Sequence, residues 1–298
     1  MVAEGHGRSR DLLVVGHTVI DRFWHVPRLP ARDRTVPVES VDERLGGTAA
    51  NLAQAASGEG LRVGLVSRVG PEFPPEFRRT LRASRIDLTG LETVEGERTP
   101  SALIVEDGRG GQMTLIDQGA MGDASRARLP TGMFPRYPWV HLTTGDPSYM
   151  LRFLQVARAG GAHVAADPAQ EIHYRWTAPM LRRMLPRCEL FFGNEAETAV
   201  ACRMMGVSGA DRLTRFVPLL IVTRGRKGAR AYSRTGMAEV PGRVPRVLRQ
   251  VTGAGDSFRG GFYAAWLRGA PIGEALADGV GSATRWIETA RFPTRGAA

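Results

Sequence analysis

The segment TGAGDSF at 252–258 is followed by the apolar sequence RGGFYAAWLRG, which predicts a tight turn that leads into a helix. Small residues at Gly253, Ala254 and Gly255 let successive amide groups point at one spot, with the positive end of the helix dipole behind them. Asp256 follows in the first turn, where its carboxylate could accept a proton from a hydroxyl group beside this anion hole. The alternative is that Asp256 only caps the helix and that the glycines only turn the chain.

Short apolar runs recur in the rest of the chain and alternate with stretches in which apolar residues have helical spacing. The strand candidates are residues 11–16, 62–66, 139–142, 163–166, 189–192 and 217–222. The helix candidates are residues 48–57, 75–83, 148–159, 178–185, 195–205, 256–268 and 272–288. This alternation predicts an α/β fold, with a central, mostly parallel sheet flanked by helices on both faces. We expect residues 11–298 to form one domain after a flexible N-terminus at 1–10.

Two regions depart from this alternation of strands and helices. Residues 34–41 (RTVPVESV) and about 98–118 alternate apolar and polar residues, and the second region contains the turn-like sequence GRGG at 108–111. Both patterns predict antiparallel strands outside the main sheet. Because these strands are inserted between strand–helix units, we expect a small β lid over the carboxyl ends of the parallel strands, where open α/β sheets bind ligands.

The composition is that of a globular domain. The chain has 298 residues, of which 43% are hydrophobic and 23% are charged, which excludes a disordered, collagen-like or membrane-spanning chain. No apolar run is long enough to span a bilayer, and residues 1–10 lack the apolar stretch of a signal peptide. We therefore expect a cytoplasmic protein without a membrane partner. Cys188 and Cys202 lack metal-ligand spacing, and we expect two buried, reduced thiols.

The formal net charge of +10 raises the hypothesis of nucleic-acid binding. Only Lys227 among the 40 basic residues is a lysine, and the arginines are scattered along the chain without a long basic block. This distribution indicates a compositional bias, and a general positive field also suits an enzyme that handles phosphorylated ligands. We therefore expect no specific nucleic-acid partner.

The segment LGGTAAN at 45–51 leads into a predicted helix and carries a second group of candidate site residues. Gly46 and Gly47 allow the backbone to approach a ligand closely, and Asn51 offers a donor and an acceptor to a pair of hydroxyl groups. The alternative is an ordinary helix start that is capped by Thr48.

Two more segments place carboxylates near the ends of strands. In GHTVID at 16–21, Asp21 follows an apolar strand, where its carboxylate could bind a vicinal diol or could simply be solvated. In GNEAE at 193–197, Asn194 and Glu197 are three residues apart at a strand-to-helix junction. They could hold a hydrated Mg²⁺, or they could be an ordinary helix cap and a first-turn glutamate.

In order and spacing, these four segments together resemble the ribokinase-like family of sugar and nucleoside kinases, also called the PfkB family. The resemblance runs from about Asp11 to Pro293 and includes VTRGRKGA at 222–229, which is similar to the nucleotide-binding strand and turn of that family. It implies a ribokinase-like fold with a small β lid. It also implies the transfer of the ATP γ-phosphate to a hydroxyl group, with ATP and Mg²⁺ as cofactors.

The same resemblance implies roles for single residues. Asp256 looks like the general base, and the residues that look like the anion hole are Gly253, Ala254 and Gly255. The residues that look like a clamp on the substrate hydroxyl groups are Asp21, Gly46, Gly47 and Asn51. Asn194 and Glu197 resemble the pair that organises Mg²⁺ and the phosphates through water. The residues that look like part of the ATP site are Asn194, Thr223, Gly225 and Gly228.

Within the family, three segments favour a nucleoside acceptor whose 5′-hydroxyl group faces Asp256. GHTVID at 16–21, TTGDP at 143–147 and ADPAQ at 166–170 resemble the archaeal-type nucleoside kinases, in which the loop that contains Gln170 lies by the substrate. The alternatives are a ribose or hexose kinase of the same family and a protein that binds a nucleoside without catalysis. The intact TGAGD sequence argues against the second alternative.

The C-terminal part departs from the family pattern. Gln250 stands where the family commonly has an aspartate that helps to bind potassium, so we expect activity to depend only weakly on potassium. The sequence stops at Ala298 soon after FPTRG at 292–296, and we expect the usual closing helix to be truncated or absent. Lid strands that pair between subunits would give a homodimer, which is a further expectation.

Overall fold

The sequence forms strands and helices close to the predicted ones in a computed structural model, which describes residues 11–249 and 251–289 and the backbone of Thr294–Arg295. The expected flexible segment at 1–10 and Gln250 lie outside the described residues. Most of the FPTRG segment also lies outside them.

Each strand predicted for the main sheet and each predicted helix coincides with an observed one, apart from shifts of a few residues at the ends. The strands are β1 (Leu12–Val15), β2 (Val19–Val26), β3 (Ser40–Gly46), β4 (Val63–Val69), β5 (Asp87–Thr93), β6 (Ser101–Asp107), β7 (Gln112–Asp117), β8 (Trp139–Leu142), β9 (His163–Ala166), β10 (Leu190–Asn194), β11 (Leu219–Thr223), β12 (Ala229–Ser233), β13 (Gly236–Val240) and β14 (Thr294–Arg295). The helices are α1 (Thr48–Gly58), α2 (Pro75–Ala83), α3 (Pro147–Ala159), α4 (Ala178–Met184), α5 (Glu195–Met205), α6 (Ala210–Leu213), α7 (Ala254–Trp266) and α8 (Ile272–Thr289).

The large sheet has the strand order β13-β12-β11-β10-β9-β8-β1-β4-β5. The strands from β11 to β5 in this order pair in parallel, and β12 and β13 add an antiparallel hairpin at one edge. The central strands are short apolar runs that are buried on both faces, as expected of a parallel sheet. The predicted α/β fold with a mostly parallel sheet is therefore confirmed.

Helices cover both faces of this sheet because alternate strand residues point to opposite sides. In β1, Leu13 and Val15 pack in a core with residues of α3, α4 and α5. Leu12 and Val14 pack in a second core with residues of α1, α7 and α8. The second core thus holds α7 against the sheet, with its N-terminus at the carboxyl edge of the strands.

A second, smaller sheet has the order β14-β3-β2-β6-β7 and forms the predicted lid. The hairpin expected within 98–118 is confirmed, since β6 and β7 pair antiparallel around residues 108–111. The strand expected at 34–41 was wrong, because β3 begins only at Ser40. Pro37 lies within the earlier run and has no amide hydrogen to donate to a neighbouring strand.

The lid also contains β2, which the apolar pattern does not predict. Asp21 therefore lies within a lid strand and not in a loop at the end of a main strand. Polar side-chain contacts join this strand to its neighbours: His25 Nε2 lies 3.0 Å from Asp42 of β3, and His25 Nδ1 lies 3.1 Å from Glu106 of β6. Arg22 Nε lies 2.8 Å from Glu43.

Cys188 and Cys202 are buried free thiols, as expected. Among the described residues, no helix combines the length and the apolar character needed to cross a bilayer.

Candidate active site

A cavity of about 590 Å³ lies between the carboxyl edge of the large sheet and the lid. Its size is typical of small-ligand sites. The apolar side chains of Val19, Ala102 and Ile104 line it from the lid. On the opposite side it is lined by polar residues from the ends of the parallel strands and from the start of α7.

Gly253 starts α7 and lines the cavity. Its φ of 84° lies in the left-handed region, where glycine is strongly preferred. The indole of Trp286 donates a hydrogen bond of 2.8 Å to the Thr252 carbonyl oxygen and packs beneath this turn. The Ala254 amide donates to the Val251 carbonyl oxygen at 3.1 Å and so is not free for a ligand, in contrast to the prediction. First-turn amide groups generally lack a carbonyl partner in a preceding turn, so the remaining amide groups of this start can bind an anion. Gly255 also lines the cavity, whereas Ala254 is not among the described lining residues.

Asp256 lines the cavity in the first turn of α7 but does not cap the helix, because the cap position is Gly253 and no side chain caps this start. Its Oδ2 instead accepts a hydrogen bond of 3.2 Å from Asn51 Nδ2. Burial raises the pKa of Asp256 to about 7, while Arg259 and Asn51 act in the opposite direction. A carboxylate with such a pKa is a suitable general base near neutral pH.

Asp21 faces the same part of the cavity from lid strand β2. Burial raises its pKa to about 7, with Arg44 opposing this shift and Asp256 adding to it. A β-carbon at Gly46 would lie 1.9 Å from Asp21 Oδ2, so only glycine leaves room for this carboxylate. Gly46 thus shapes the site from behind Asp21 and is not itself among the described lining residues.

The start of α1 brings Gly47 and Asn51 to the cavity. Gly47 has a φ of 96°, and a β-carbon there would lie 2.5 Å from the carbonyl oxygen of His17. Gly47 is the cap residue of α1, and no side chain caps this helix, so the alternative of a Thr48 cap is not realised. The predicted substrate residues Asp21, Gly47 and Asn51 are therefore brought together around Asp256.

Arg259 and Asp167 form a buried ion pair behind Asp256, which sequence reasoning did not predict. Asp167 follows β9, and its Oδ2 lies 3.4 Å from His141 Nε2. His141 Nδ1 lies 2.8 Å from the hydroxyl group of Tyr263, which is four residues after Arg259 on α7. Although burial alone would raise the pKa of Asp167, Arg259 and His141 hold it below its ordinary value. The only sequence signals were an arginine next to TGAGDSF and the aspartate of ADPAQ.

Asn194 and Glu197 line the cavity at the start of α5. They form a reciprocal capping box, in which Asn194 Oδ1 accepts from the Glu197 amide at 2.9 Å and Glu197 Oε2 accepts from the Asn194 amide at 2.7 Å. Burial, followed by the charge of Asp167, raises the pKa of Glu197. Among the described residues, no cluster of three or more metal-ligating side chains is present. The side-chain oxygens of Asn194 and Glu197 already accept backbone hydrogen bonds. These two residues therefore fit a hydrated Mg²⁺ that is bound through water and phosphate oxygens, and they do not fit an ion whose ligands all come from the protein.

Thr223 lines the cavity at the end of β11, beside Asn194 of β10. Gly225 and Gly228 lie in the following turn and are not among the described lining residues. A β-carbon at Gly228 would lie 2.0 Å from the Val240 carbonyl oxygen, so this glycine allows the close packing of the β12–β13 hairpin. The structure thus brings Thr223 to the site and keeps the two glycines behind it.

Gln170 lines the cavity in the loop after β9, and His17 lines it after β1. Sequence reasoning missed three neighbours that also line this end: Gln118, Thr144 and Glu171. Thr144 belongs to the TTGDP segment and Glu171 directly follows ADPAQ, so the segments were identified but these side chains were not.

Comparison with known proteins finds matches over almost the entire chain. The profile of the pfkB family carbohydrate kinases matches residues 9–290. A nucleoside kinase of Methanothermobacter thermautotrophicus is 35% identical over 266 residues, which cover 89% of this chain and 85% of that protein. A nucleoside kinase of Methanocaldococcus jannaschii is 30% identical and covers 95% of this chain. The crystal structure of Methanocaldococcus jannaschii nucleoside kinase, an archaeal member of the ribokinase family, has a TM-score of 0.83, with 28% identity over 95% of this chain and 93% of that chain.

Proposed function

Because the chain belongs to the pfkB family of carbohydrate kinases, we propose that it transfers the γ-phosphate of ATP to the 5′-hydroxyl group of a nucleoside. The observation that carries this proposal is the position of Asp256. Its carboxyl group lies at a helix start, accepts a hydrogen bond from Asn51 and faces a cavity that the lid covers.

Phosphoryl transfer requires positioning of the reactants and neutralisation of charge, with little covalent work by the protein. In this proposal, Asp256 accepts the proton of the attacking hydroxyl group. The amide groups at the start of α7, around Gly253 and Gly255, stabilise negative charge on the transferred phosphoryl group. Apolar lid residues limit the access of water, which would otherwise compete as the acceptor.

The nucleotide is proposed to bind beside Thr223 and Asn194, at the ends of β11 and β10. Glu197 and Asn194 would organise a hydrated Mg²⁺ through water. When bound, the ion would neutralise charge on the phosphate oxygens. Gly225 and Gly228 would act indirectly, by shaping the turn after Thr223.

The acceptor is proposed to be held by its ribose hydroxyl groups. Asp21 and Asn51 would bind the 2′- and 3′-hydroxyl groups, while Gly46 leaves space for the Asp21 carboxylate and Gly47 allows the start of α1 to approach the backbone of His17 closely. The 5′-hydroxyl group would then face Asp256. A 2′-deoxynucleoside leaves a buried polar group without its partner, which costs about 1–3 kcal/mol and should lower kcat/KM accordingly.

The experiment that tests the proposal is steady-state kinetics of the Asp256→Asn variant. Loss of the general base should lower kcat by roughly 100-fold or more while nucleoside binding is kept. Asp33→Asn is a matched control, because the Asp33 side chain is 92% exposed and lies outside the cavity. An unchanged kcat in Asp256→Asn would remove the assigned base.

A panel of acceptors separates this function from its alternatives. Formation of ADP with ribonucleosides in preference to free ribose or hexose is the expected result. A clear preference for a free sugar would assign a sugar kinase instead. Nucleoside binding without ADP formation for any acceptor would assign a protein that only binds nucleosides.

We also propose that two copies of the chain pair through their lids. Strand β7 is an edge strand of the lid sheet, and Met113 and Leu115 on it are 42% and 56% exposed. Gln112, Thr114 and Ile116 line the cavity, so strand alternation directs Met113 and Leu115 away from it. An exposed apolar edge strand favours pairing with a second chain.

A further inference from the structure

Buried polar atoms without partners cluster at one end of the active-site cavity. Among the described residues, His17 Nε2, Gln118 Oε1, Thr144 Oγ1 and Glu171 Oε1 have no hydrogen-bond partner. All four residues line the cavity, and His17, Thr144 and Glu171 are only 5%, 7% and 3% exposed. Unsatisfied buried polar groups are costly and uncommon in folded proteins, so several at one place indicate that a polar ligand satisfies them.

The Glu171 side chain is held in place by one of its two oxygens. Its Oε2 accepts a hydrogen bond of 2.6 Å from the Gly145 amide, which fixes the carboxylate in the loop after β9. Its Oε1 lies 3.7 Å from His17 Nδ1, which is too long for a hydrogen bond. The Gln118 amide lies beside both residues and donates from Nε2 to the Tyr174 hydroxyl group at 3.4 Å.

The strand order separates this cluster from the proposed nucleotide site. Thr223 and Asn194 end β11 and β10, whereas Thr144 and His17 follow β8 and β1, which are further along the same sheet edge. The transferred phosphoryl group must lie between its donor and its acceptor hydroxyl group. The part of the acceptor that is distant from the reacting hydroxyl group therefore extends toward His17 and Glu171.

We propose that His17, Gln118 and Glu171 form a subsite for the nucleobase, in which Glu171 Oε1 accepts a hydrogen bond from an N–H group of the base. This inference rests on the proposed nucleoside acceptor. Burial lowers the pKa of His17 to about 3, so its ring is neutral and offers one donor and one acceptor. The base would thus meet a carboxylate oxygen, a neutral imidazole and an amide oxygen.

The test compares nucleosides that carry an N–H donor on the base with analogues that lack it. Adenosine, inosine, cytidine and uridine carry such donors, whereas purine riboside and pyrimidin-2-one riboside do not. At pH 8, above the value of about 7 to which burial raises the pKa of Glu171, the wild-type protein should show a kcat/KM about 10- to 100-fold higher for its best donor-bearing nucleoside than for the matching analogue, because a buried hydrogen bond to a charged group is lost.

Glu171→Gln is the informative variant. Its amide oxygen can still accept from the Gly145 amide, while its NH₂ group replaces the acceptor that faces the cavity. The preference for the donor-bearing nucleoside over the analogue should fall to about threefold or less. Glu274→Gln, on the exposed surface of α8, is the matched control and should keep the full preference.

A second variant covers the case in which Glu171→Gln fails to fold. His17→Phe keeps the shape of the ring and removes both nitrogens, and should lower kcat/KM for donor-bearing nucleosides by about 10-fold. If nucleosides are phosphorylated but donor-bearing and donor-free bases are used equally well, the subsite is wrong and the proposed function stands. If only free sugars are phosphorylated, the proposed function and the subsite are both wrong.

Discussion

Burial of the carboxyl groups of Asp21 and Asp256 raises their pKa values, which favours proton acceptance near neutral pH but lowers the stability of the folded protein. Burial raises the pKa of each to about 7, and the charge of Asp256 adds to the shift of Asp21. A general base must be ionised, whereas burial favours its protonated form. The same desolvation that makes Asp256 basic enough to accept a proton therefore makes its ionised form costly in the folded protein.

The raised pKa of Asp256 predicts that activity and stability depend on pH in opposite directions. The kcat/KM should rise as the pH increases through about 7, because Asp256 becomes ionised. Because folding raises the pKa above that of the unfolded chain, the folded state binds more protons, and stability should fall as the pH rises from about 4 to about 7. Thermal unfolding should show that Asp256→Asn raises Tm by at least about 2 °C at pH 8 and by less at pH 5. Equal effects at both pH values would argue against the raised pKa.

Arg259 should be important for folding as well as for the site. Arg259→Met leaves Asp167, which is fully buried, without its ion-pair partner, and the loss of stability should be about 3–5 kcal/mol. Arg268→Met is the matched control, because the Arg268–Asp278 pair is 3.9 Å apart and more than half exposed, and should cost about 0–1 kcal/mol. Urea unfolding measures both. Similar losses in the two variants would show that the buried pair has no special role.

At the scale of elements, the junction between β3 and α1 leaves room for the Asp21 carboxylate of the lid beside Asp256 of α7. Gly46→Ala would place a β-carbon 1.9 Å from Asp21 Oδ2 and displace this carboxylate. We expect KM for the acceptor to rise at least about 10-fold, because the hydroxyl clamp is lost. Gly58→Ala, at the other end of α1, is the matched control, since nothing lies within 4 Å of its added β-carbon. An unchanged KM in Gly46→Ala would contradict the role of Asp21.

The apolar pattern predicted the buried elements well and the lid less well. Strands such as β8 and β9 are buried on both faces, and their composition alone marks them. In contrast, β2 and β3 carry Asp21, Arg22, Asp42 and Glu43, and their pairing depends on partners that are distant in sequence. The motifs likewise located Asp256 and Asn51, but the Arg259–Asp167 pair depends on how α7 packs against the large sheet, which no local pattern reveals.

For the whole molecule, the proposed pairing through the lid can be tested by oligomeric state. Leu115→Glu should convert a dimer into a monomer, because it places a charge in the proposed apolar contact. Met237→Glu is the matched control, since Met237 is 55% exposed on β13, at the far edge of the large sheet. Light scattering coupled to size exclusion measures both. A wild-type monomer, or a dimer that Met237→Glu disrupts instead, would contradict pairing through β7.

The single lysine of the chain gives this molecule an intrinsic labelling site. Lys227 lies in the turn that connects β11 to β12, four residues after Thr223, and its side chain is 67% exposed. An amine-reactive fluorophore has only this side-chain target in the sequence, because the remaining basic residues are arginines. A dye at Lys227 would sit beside the proposed nucleotide end of the cavity and away from His17 and Glu171. Its emission would therefore report the arrival of nucleotide separately from that of the acceptor, without any engineered cysteine.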